Sequence, residues 1–495
     1  MISAKRIAAA LMAALMLMPV LASCSESGKT PDTTAADTTA AVADTQAEAV
    51  TTADPTKLEE KNLGGWEFNA LVRGAAENNY WKCVDILVED YTGDVLNDAV
   101  LDRNGIIQDK YNVKITQVET GNQSLVEARN YISAGEDSFA AFCLRADYTA
   151  SLSTEGSLID LFTVPYLQLD QPWWDQNAVK ELSIANKLYF TTGDLSISCA
   201  DAVQIPVFNK TVLSQQEDME DPYELVREGK WTMNKMLDMA LAVNTDVDGD
   251  GTMGEKDKWG YLAYGWGALF LFFGSGETIV AKDENDLPYL SVYNDRSVNV
   301  MDLVYKINGG GNPDIISGYS ALQTTMMSED RVLFTITSMA TVRKQFRENV
   351  ESDIGILPVP KFDEEQPRYY NLVVFQDTSN MYSVPKTSSN VDNTGFVLEA
   401  LAQESTGTLR EAYYDKTISY KALRDKDSLD MLKIILETRT YDLSSAYLWG
   451  AWNGYFTGLT GSNGKNQFSS YYAKLSKPTE KAINTTVETL TGLDG

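Results

Sequence analysis

The stretch from Trp66 to Val118 sets the tightest limit on the fold. Trp66, Phe68, Ala70 and Val72 alternate with other residues, the period of a strand that buries one face. From Asp94, which suits a helix N-cap, the apolar residues Val95, Leu96, Ala99, Val100, Ile106 and Ile107 recur at helical spacing as far as Lys110 and Tyr111. Val113 and Ile115 then alternate again within Asn112 to Val118. A strand, a helix and a strand in one short stretch form a βαβ unit, which closes right-handed and implies a parallel sheet. The body therefore opens as α/β.

The same reading extends along the chain. Thr232 suits the cap of a helix with an apolar face of Met233, Met236, Leu237, Ala240 and Leu241, and Val332 to Ile336 is a strand-like run. Leu372 to Phe375 is a short apolar run, and Phe396 to Gln403 and Leu429 to Leu436 have helical spacing. The 495 residues suggest two or three domains. No repeat and no clean linker separates them, so lobes built from more than one chain segment are expected.

The first residues read as an address. Lys5 and Arg6 precede the apolar stretch Ile7 to Val20, which is too short for a comfortable membrane span. Leu21-Ala22-Ser23-Cys24 resembles the lipobox of bacterial lipoproteins, which implies lipidation of Cys24. Ser25 to Lys57 is rich in Thr, Ala and Asp without an aromatic residue, and is expected to be a disordered tether. With Cys24 assigned to lipid, Cys83, Cys143 and Cys199 remain. Their odd number leaves at least one thiol unpaired, and without a CxxC partner they read as buried small hydrophobes.

Composition narrows the chemistry. The chain has no histidine, which excludes imidazole bases, histidine-dependent triads and His-ligated zinc. Its formal charge of −29, without a compact basic patch, argues against nucleic acid.

One motif carries strong metal chemistry. Asp246, Asp248 and Asp250 occupy positions one, three and five of a calcium loop, and Gly251 permits the sharp turn that makes their carboxylates converge. Thr252 would offer its carbonyl at position seven, while Glu255 and Asp257 compete to close the loop. A bound Ca²⁺ is expected to be structural, fixing the segment after Thr232 against Trp259 to Phe273.

Nine tryptophans and 25 tyrosines in such a chain suggest carbohydrate, whose apolar C–H faces stack on aromatic rings while hydroxyls bond to polar side chains. Candidates in polar or glycine-containing loops are Trp81 beside Tyr80, Trp173 and Trp174, Trp266, and Trp449 and Trp452 around Gly450. Trp66 and Trp231 are assigned to structure. A secreted glycosidase using two carboxylates is the alternative, since such a site needs no histidine.

Several segments, in order along the chain, resemble the sugar-binding family of bacterial extracellular solute-binding proteins. They are Asp94 to Val100 through Asp109-Lys110-Tyr111-Asn112-Val113, Pro172-Trp173-Trp174-Asp175, Phe208-Asn209-Lys210, Gly229-Lys230-Trp231-Thr232, Gly355 to Lys361 and Tyr382 to Lys386. The resemblance implies a two-lobed type II periplasmic-binding fold with a ligand cleft between the lobes. On that basis residues 1–23 are a signal peptide and 24–60 the lipidated cysteine with its tether. Residues 61–195 with about 376–424 form one lobe, and 196–375 with about 425–495 the other. The implied function is a monomeric, lipid-anchored receptor outside the cytoplasm. It would deliver a mono- or oligosaccharide to the permease subunits of an ATP-binding-cassette importer by hinge closure. Trp173, Trp174, Trp266 and Trp449 are the expected stacking residues, with Asp194 and Asp377 as hydrogen-bonding residues near the crossings. Met339-Ala340-Thr341 stands where well-studied maltodextrin binders place a tryptophan, which argues against a maltose-type ligand.

Overall fold

The computed structural model describes residues 58–310, 312–375, 377–414, 425–461 and 465–493. Cys24, the signal segment and the tether lie outside the described residues. Two sheets organise the rest. The first has the strand order Asn380–Ser383, Ala141–Arg145, Trp66–Val72, Val113–Glu119. Trp66–Val72 runs parallel to both Val113–Glu119 and Ala141–Arg145, and Asn380–Ser383 closes the edge antiparallel. The expected βαβ unit is present, with Trp66 opposite Val113 and Val72 opposite Glu119. Its helix, Val95–Tyr111, starts where the Asp94 carboxylate accepts the backbone N–H of Leu96 and Asn97, and it ends at Asn112 in the left-handed region. Alternation predicts one buried face for the first strand, yet Leu71 is buried along with Ala70 and Val72. Its carboxyl end lies within a sheet paired on both edges, as parallel strands usually do.

The second sheet has the order Ile354–Ile356, Gln204–Asn209, Val332–Ser338, Trp259–Tyr264, Ile316–Gly318. Gln204–Asn209 and Val332–Ser338 are buried at every residue, consistent with their interior places. The helix Met233–Leu241 is capped by the Thr232 hydroxyl, which accepts the Lys235 N–H, and it packs on Trp259–Tyr264.

The chain leaves the first sheet after Arg145, enters the second at Gln204, and returns between Ile356 and Asn380. The two crossing segments lie side by side. Val203 and Val373 form an antiparallel bridge, and the Val374 N–H donates to the Ala202 carbonyl at 3.3 Å. The lobes are thus joined by two crossings tied to each other through the backbone. The helix Val391–Ser405 packs on Val95–Tyr111 in the first lobe. The C-terminal helix Phe468–Gly492 is not confined to the second lobe. It contacts Ala146–Thr154 on one side and Asp295–Asn308 on the other, and the Lys187 ammonium donates to the Leu490 carbonyl at 2.9 Å. Among the described residues no helix is long and apolar enough to cross a membrane.

Candidate ligand cleft between the lobes

A cavity of about 370 Å³ opens where the two sheets face each other across the hinge. From the first lobe and the returning crossing come Asn78, Tyr80, Trp81, Asp377 and Thr378. The second lobe supplies Tyr264, Trp266, Gln323, Thr337, Ser338, Thr341 and Gln345, and Gln204 and Val374 line the hinge side. Tyr264 and Ser338 are the last residues of their strands, so the cleft lies at strand carboxyl ends, where open α/β sheets place their ligands.

Local sequence explains each wall. The Asn78 side-chain carbonyl accepts the N–H groups of Tyr80 and Trp81 at 3.0 and 3.3 Å and turns the chain so that the two rings meet edge to face, centroids 5.2 Å apart. Across the cleft, the buried Asn308 amide donates to the Tyr264 carbonyl at 3.0 Å, and its oxygen accepts the Tyr261 hydroxyl at 3.2 Å. Gly267 follows Trp266 because a Cβ there would come within 2.5 Å of that same Asn308 oxygen. The Ser338 hydroxyl accepts the Thr341 N–H at 3.1 Å and starts the helical segment that carries Thr341 and Gln345. Gln323 is fully buried. Its amide donates to the Thr335 hydroxyl at 2.7 Å and the Ile336 carbonyl at 2.9 Å, while its oxygen has no hydrogen-bond partner.

The lining is almost uncharged. Among the described residues Asp377 is the one acidic or basic side chain in it, and Arg145 pairs with its carboxylate at 2.5 Å while the buried Arg73 guanidinium donates to its backbone carbonyl at 3.1 Å. Asp377 has φ of 64°, a strained conformation for a residue with a Cβ that the two arginines hold in place. Burial pushes the Tyr264 phenol above its ordinary value, so it is a neutral donor and acceptor. The lobes also touch: the Lys344 ammonium of the second lobe donates to the Tyr80 carbonyl at 2.8 Å and lies 4.3 Å from the Tyr80 ring centroid. Burial draws that ammonium below its ordinary value, against the pull of Asp201.

A second cavity, of about 430 Å³, lies on the other side of Tyr80 and Trp81 and is lined by Asp94, Asp201, Arg343 and Lys344 among others. Three of its charged groups are paired, Asp201 with both Arg343 and Lys344. Arg343 donates to both Asp201 oxygens at 2.9 and 2.5 Å, and the Tyr413 hydroxyl donates to the same carboxylate at 2.8 Å. Although burial works against the Asp201 carboxylate, Arg343 and Lys344 hold it below the ordinary range. The smaller cavity is the better ligand site because aromatic rings line it from both lobes and its other lining is nearly all neutral amide and hydroxyl.

Of the six residues expected to bind ligand, the structure brings Trp266 and Asp377 into this cleft and leaves four outside it. Trp173 and Trp174 are 1% and 2% exposed, and both indole N–H groups donate to Glu399 at 2.8 Å. They are core, held by a buried carboxylate that no local pattern announces. Trp449 is buried against the C-terminal helix, stacked on Tyr447 and donating to the Thr486 hydroxyl at 3.0 Å. Asp194 accepts the Thr406 hydroxyl at 2.8 Å and faces Arg410 at 3.4 Å, an internal tie near the crossing. Trp81 beside Tyr80 is among the loop aromatics named from sequence, whereas Tyr264, Gln204, Gln323 and Gln345 carry no sequence signal as lining residues. The signal within reach was the Asn78-Asn79-Tyr80-Trp81 turn.

Asp246, Asp248 and Asp250 are exposed, and one oxygen of each lies within 4.8 Å of the others. Gly251 has φ of 81°, the turn that brings them together. Asp246 accepts the N–H groups of Gly249 and Gly251 at 2.7 and 2.8 Å, and Asp250 that of Thr252 at 2.8 Å. Asp257 is buried, and its two oxygens accept Val247 N–H at 2.8 Å and Gly254 N–H at 2.6 Å. Thr252 and Glu255 are exposed at the loop's rim.

No protein-family model matches the sequence, and no curated protein matches it. Solved structures do. A cyclo/maltodextrin-binding protein complexed with maltotetraose is 15% identical with a TM-score of 0.52, over 86% of this chain and 96% of that one. The extracellular solute-binding protein from Staphylococcus aureus in complex with maltose is 12% identical with a TM-score of 0.53, over 86% and 97%. UspC of M. tuberculosis is 11% identical with a TM-score of 0.53, over 84% and 100%. With two hinged α/β lobes and a cleft at their strand ends, the chain has the two-lobed fold of these solute-binding proteins.

Proposed function

We propose that this protein is an extracellular carbohydrate receptor of an ATP-binding-cassette importer. The observation that carries the reading is the make-up of the cleft. Aromatic faces from both lobes, Trp81 with Tyr80 opposite Trp266 with Tyr264, surround neutral amides and hydroxyls, and the one carboxylate is already paired with an arginine. An uncharged ligand with apolar faces and many hydroxyls suits such a lining, and the idle Gln323 oxygen would accept one of those hydroxyls. Ligand contacts to both lobes would favour the closed state, and release would follow hinge opening. The solved neighbours that share the fold include proteins in complex with maltotetraose and maltose, which supports a sugar as the ligand class. The stretch Met339-Ala340-Thr341, where the resemblance leads one to expect a tryptophan, argues for a sugar other than a maltose type.

A glycosidase needs two carboxylates flanking the bond. Among the described residues the cleft lining offers Asp377 alone.

Delivery would proceed from a body tethered through a lipidated Cys24, acting as a monomer with membrane permease subunits as partners. The converging oxygens of Asp246, Asp248 and Asp250 fit a hard divalent cation, and no lysine or arginine pairs with them among the described residues. With the Thr252 carbonyl, and Glu255 or Asp257 closing, they would hold a structural Ca²⁺.

The test is a panel of neutral mono- and oligosaccharides read by thermal shift and tryptophan fluorescence. One or a few sugars should stabilise the protein and be recovered intact. Recovery of a cleaved product at turnover sinks the receptor reading in favour of the enzyme.

A further inference from the structure

We propose that Cys83 and Cys143 are partners in a disulfide that pins the loop carrying Tyr80 and Trp81 to the first sheet. The two sulfurs lie 3.2 Å apart, both buried, against about 2.05 Å for the bond itself. Backbone bonding already holds the two residues in place. The Cys83 N–H donates to the Arg73 carbonyl at 2.9 Å, and the Arg73 N–H donates to the Cys143 carbonyl at 3.0 Å, so the backbone of one residue, Arg73, spaces them. Cys143 is itself fixed in the sheet between Val72 and Tyr382.

The loop supplies the reason for a pin. Residues 79–94 contain neither helix nor strand, although Tyr80 and Trp81 among them line the cleft. Side chains hold part of the loop: Arg103 donates to the Asp85 carbonyl at 2.6 Å, and Asn104 donates to the Ile86 carbonyl at 2.8 Å. Long irregular segments in compact domains carry a large ordering cost, and a bond between residues 60 positions apart removes much of that freedom from the unfolded chain. Cys199 takes no part. Its thiol donates to the Asn380 carbonyl at 3.4 Å, which makes it the odd thiol.

Oxidation requires an acceptor of two electrons, a small disulfide or a thiol-disulfide exchange enzyme. One thiolate attacks the oxidant's S–S bond, giving a mixed disulfide and one free oxidant thiol. The second thiolate then displaces the other half. Each Cys loses one proton, and the oxidant leaves as two thiols. Burial pushes the Cys143 thiol well above its ordinary value, so the exchange belongs to folding, before the loop seats.

A metal held by Cys83, Cys143 and Asp85 is the competing use of the cluster, since their ligand atoms lie within 4.8 Å of one another and one Asp85 oxygen has no partner. Geometry disfavours it. Two thiolates at about 2.3 Å from a tetrahedral zinc sit roughly 3.8 Å apart. Arg103, buried with no carboxylate as a hydrogen-bond partner, also puts positive charge against the same loop.

The experiment uses the full chain purified without reductant and incubated with oxidised glutathione, then alkylated under denaturing conditions and mapped by mass spectrometry without reduction. A Cys83–Cys143 linked peptide with Cys199 alkylated is expected. Dithiothreitol should lower the melting temperature by on the order of 5 °C. Cys83→Ser should melt low with no response to dithiothreitol, whereas Cys199→Ser should keep the response. Alkylation of both Cys83 and Cys143, a bridge to Cys199, or stoichiometric zinc lost on Asp85→Asn each overturns the proposal.

Discussion

Replacing Glu399 is the sharpest check on the division between core and cleft. Its side chain is fully buried in the helix Val391–Ser405, where one oxygen accepts the Trp173 indole and the other accepts the Trp174 indole and the Gln168 N–H, at 2.8, 2.8 and 3.0 Å. Burial pushes its carboxyl above the ordinary range, opposed by those three donors. Among the described residues no lysine or arginine pairs with it, so the N–H groups carry the stabilisation. Glu399→Ala strands two buried indole donors, each costing about 1–3 kcal/mol, leaves the part-buried Gln168 N–H without its acceptor, and opens a cavity. Allowing for relaxation, a loss of about 4–6 kcal/mol is expected, a large share of a typical folding free energy. Glu399→Gln keeps the shape and one acceptor but points an amide donor at an indole N–H, for a loss of about 2 kcal/mol. Urea unfolding measures both, with an unchanged slope showing that only stability moved. Sugar affinity at saturating stability should stay within twofold in the Gln variant. A Glu399→Ala protein within about 0.5 kcal/mol of the parent would refute the reasoning, as would Trp174→Phe weakening a sugar without loss of stability.

Three further outcomes follow from named contacts. Burial pushes the Glu181 carboxyl up to about 7, so its contribution is full below the unfolded value of about 4.3 and is lost as pH rises toward 7. That gap is worth on the order of 3 kcal/mol, and Glu181→Gln should remove that much of the stability difference between pH 5 and pH 8, read by chemical unfolding at both; an unaltered difference rejects the assignment. Trp266→Ala should weaken whichever sugar the panel identifies by about tenfold, equivalent to about 1.4 kcal/mol, by isothermal titration with the melting temperature little changed. Chelation should lower the melting temperature of the parent and calcium restore it, whereas Asp246→Asn with Asp248→Asn should respond to neither; a stripped parent indifferent to calcium removes the metal.

The fold was legible where local pattern and tertiary structure agree. Asp94, the apolar stripe behind it and the two flanking strands needed nothing distant to be recognised, and the structure keeps all three as elements. The short apolar run Leu372 to Phe375 carried no element type in sequence: Asn371–Leu372 pairs with Arg439–Thr440, and the rest serves as the returning crossing. Cys83 and Cys143 gave no sequence signal either. Their partnership depends on the Arg73 peptide spanning a loop and a strand sixty residues apart.

Tryptophan shows most clearly why the site resisted reading. An indole buried in protein must place its N–H, and the partner is chosen by the fold. Six of the nine indoles donate internally: Trp173 and Trp174 to Glu399, Trp231 to the Pro358 carbonyl, Trp259 to the Gly254 carbonyl, Trp449 to Thr486 and Trp452 to Thr479. Several of these acceptors are more than a hundred residues from their donors, beyond any motif. Trp66, Trp81 and Trp266 make no such bond among the described residues and are half-buried. Trp66 rides the first strand, which leaves Trp81 and Trp266, on opposite walls of one cavity, as the indoles with both a face and a donor to offer a guest. Loop position and glycine neighbours, the criteria available in sequence, favoured Trp449 and Trp173 equally. Satisfaction of the indole donor is the property that separates them, and it becomes visible only once the chain is folded.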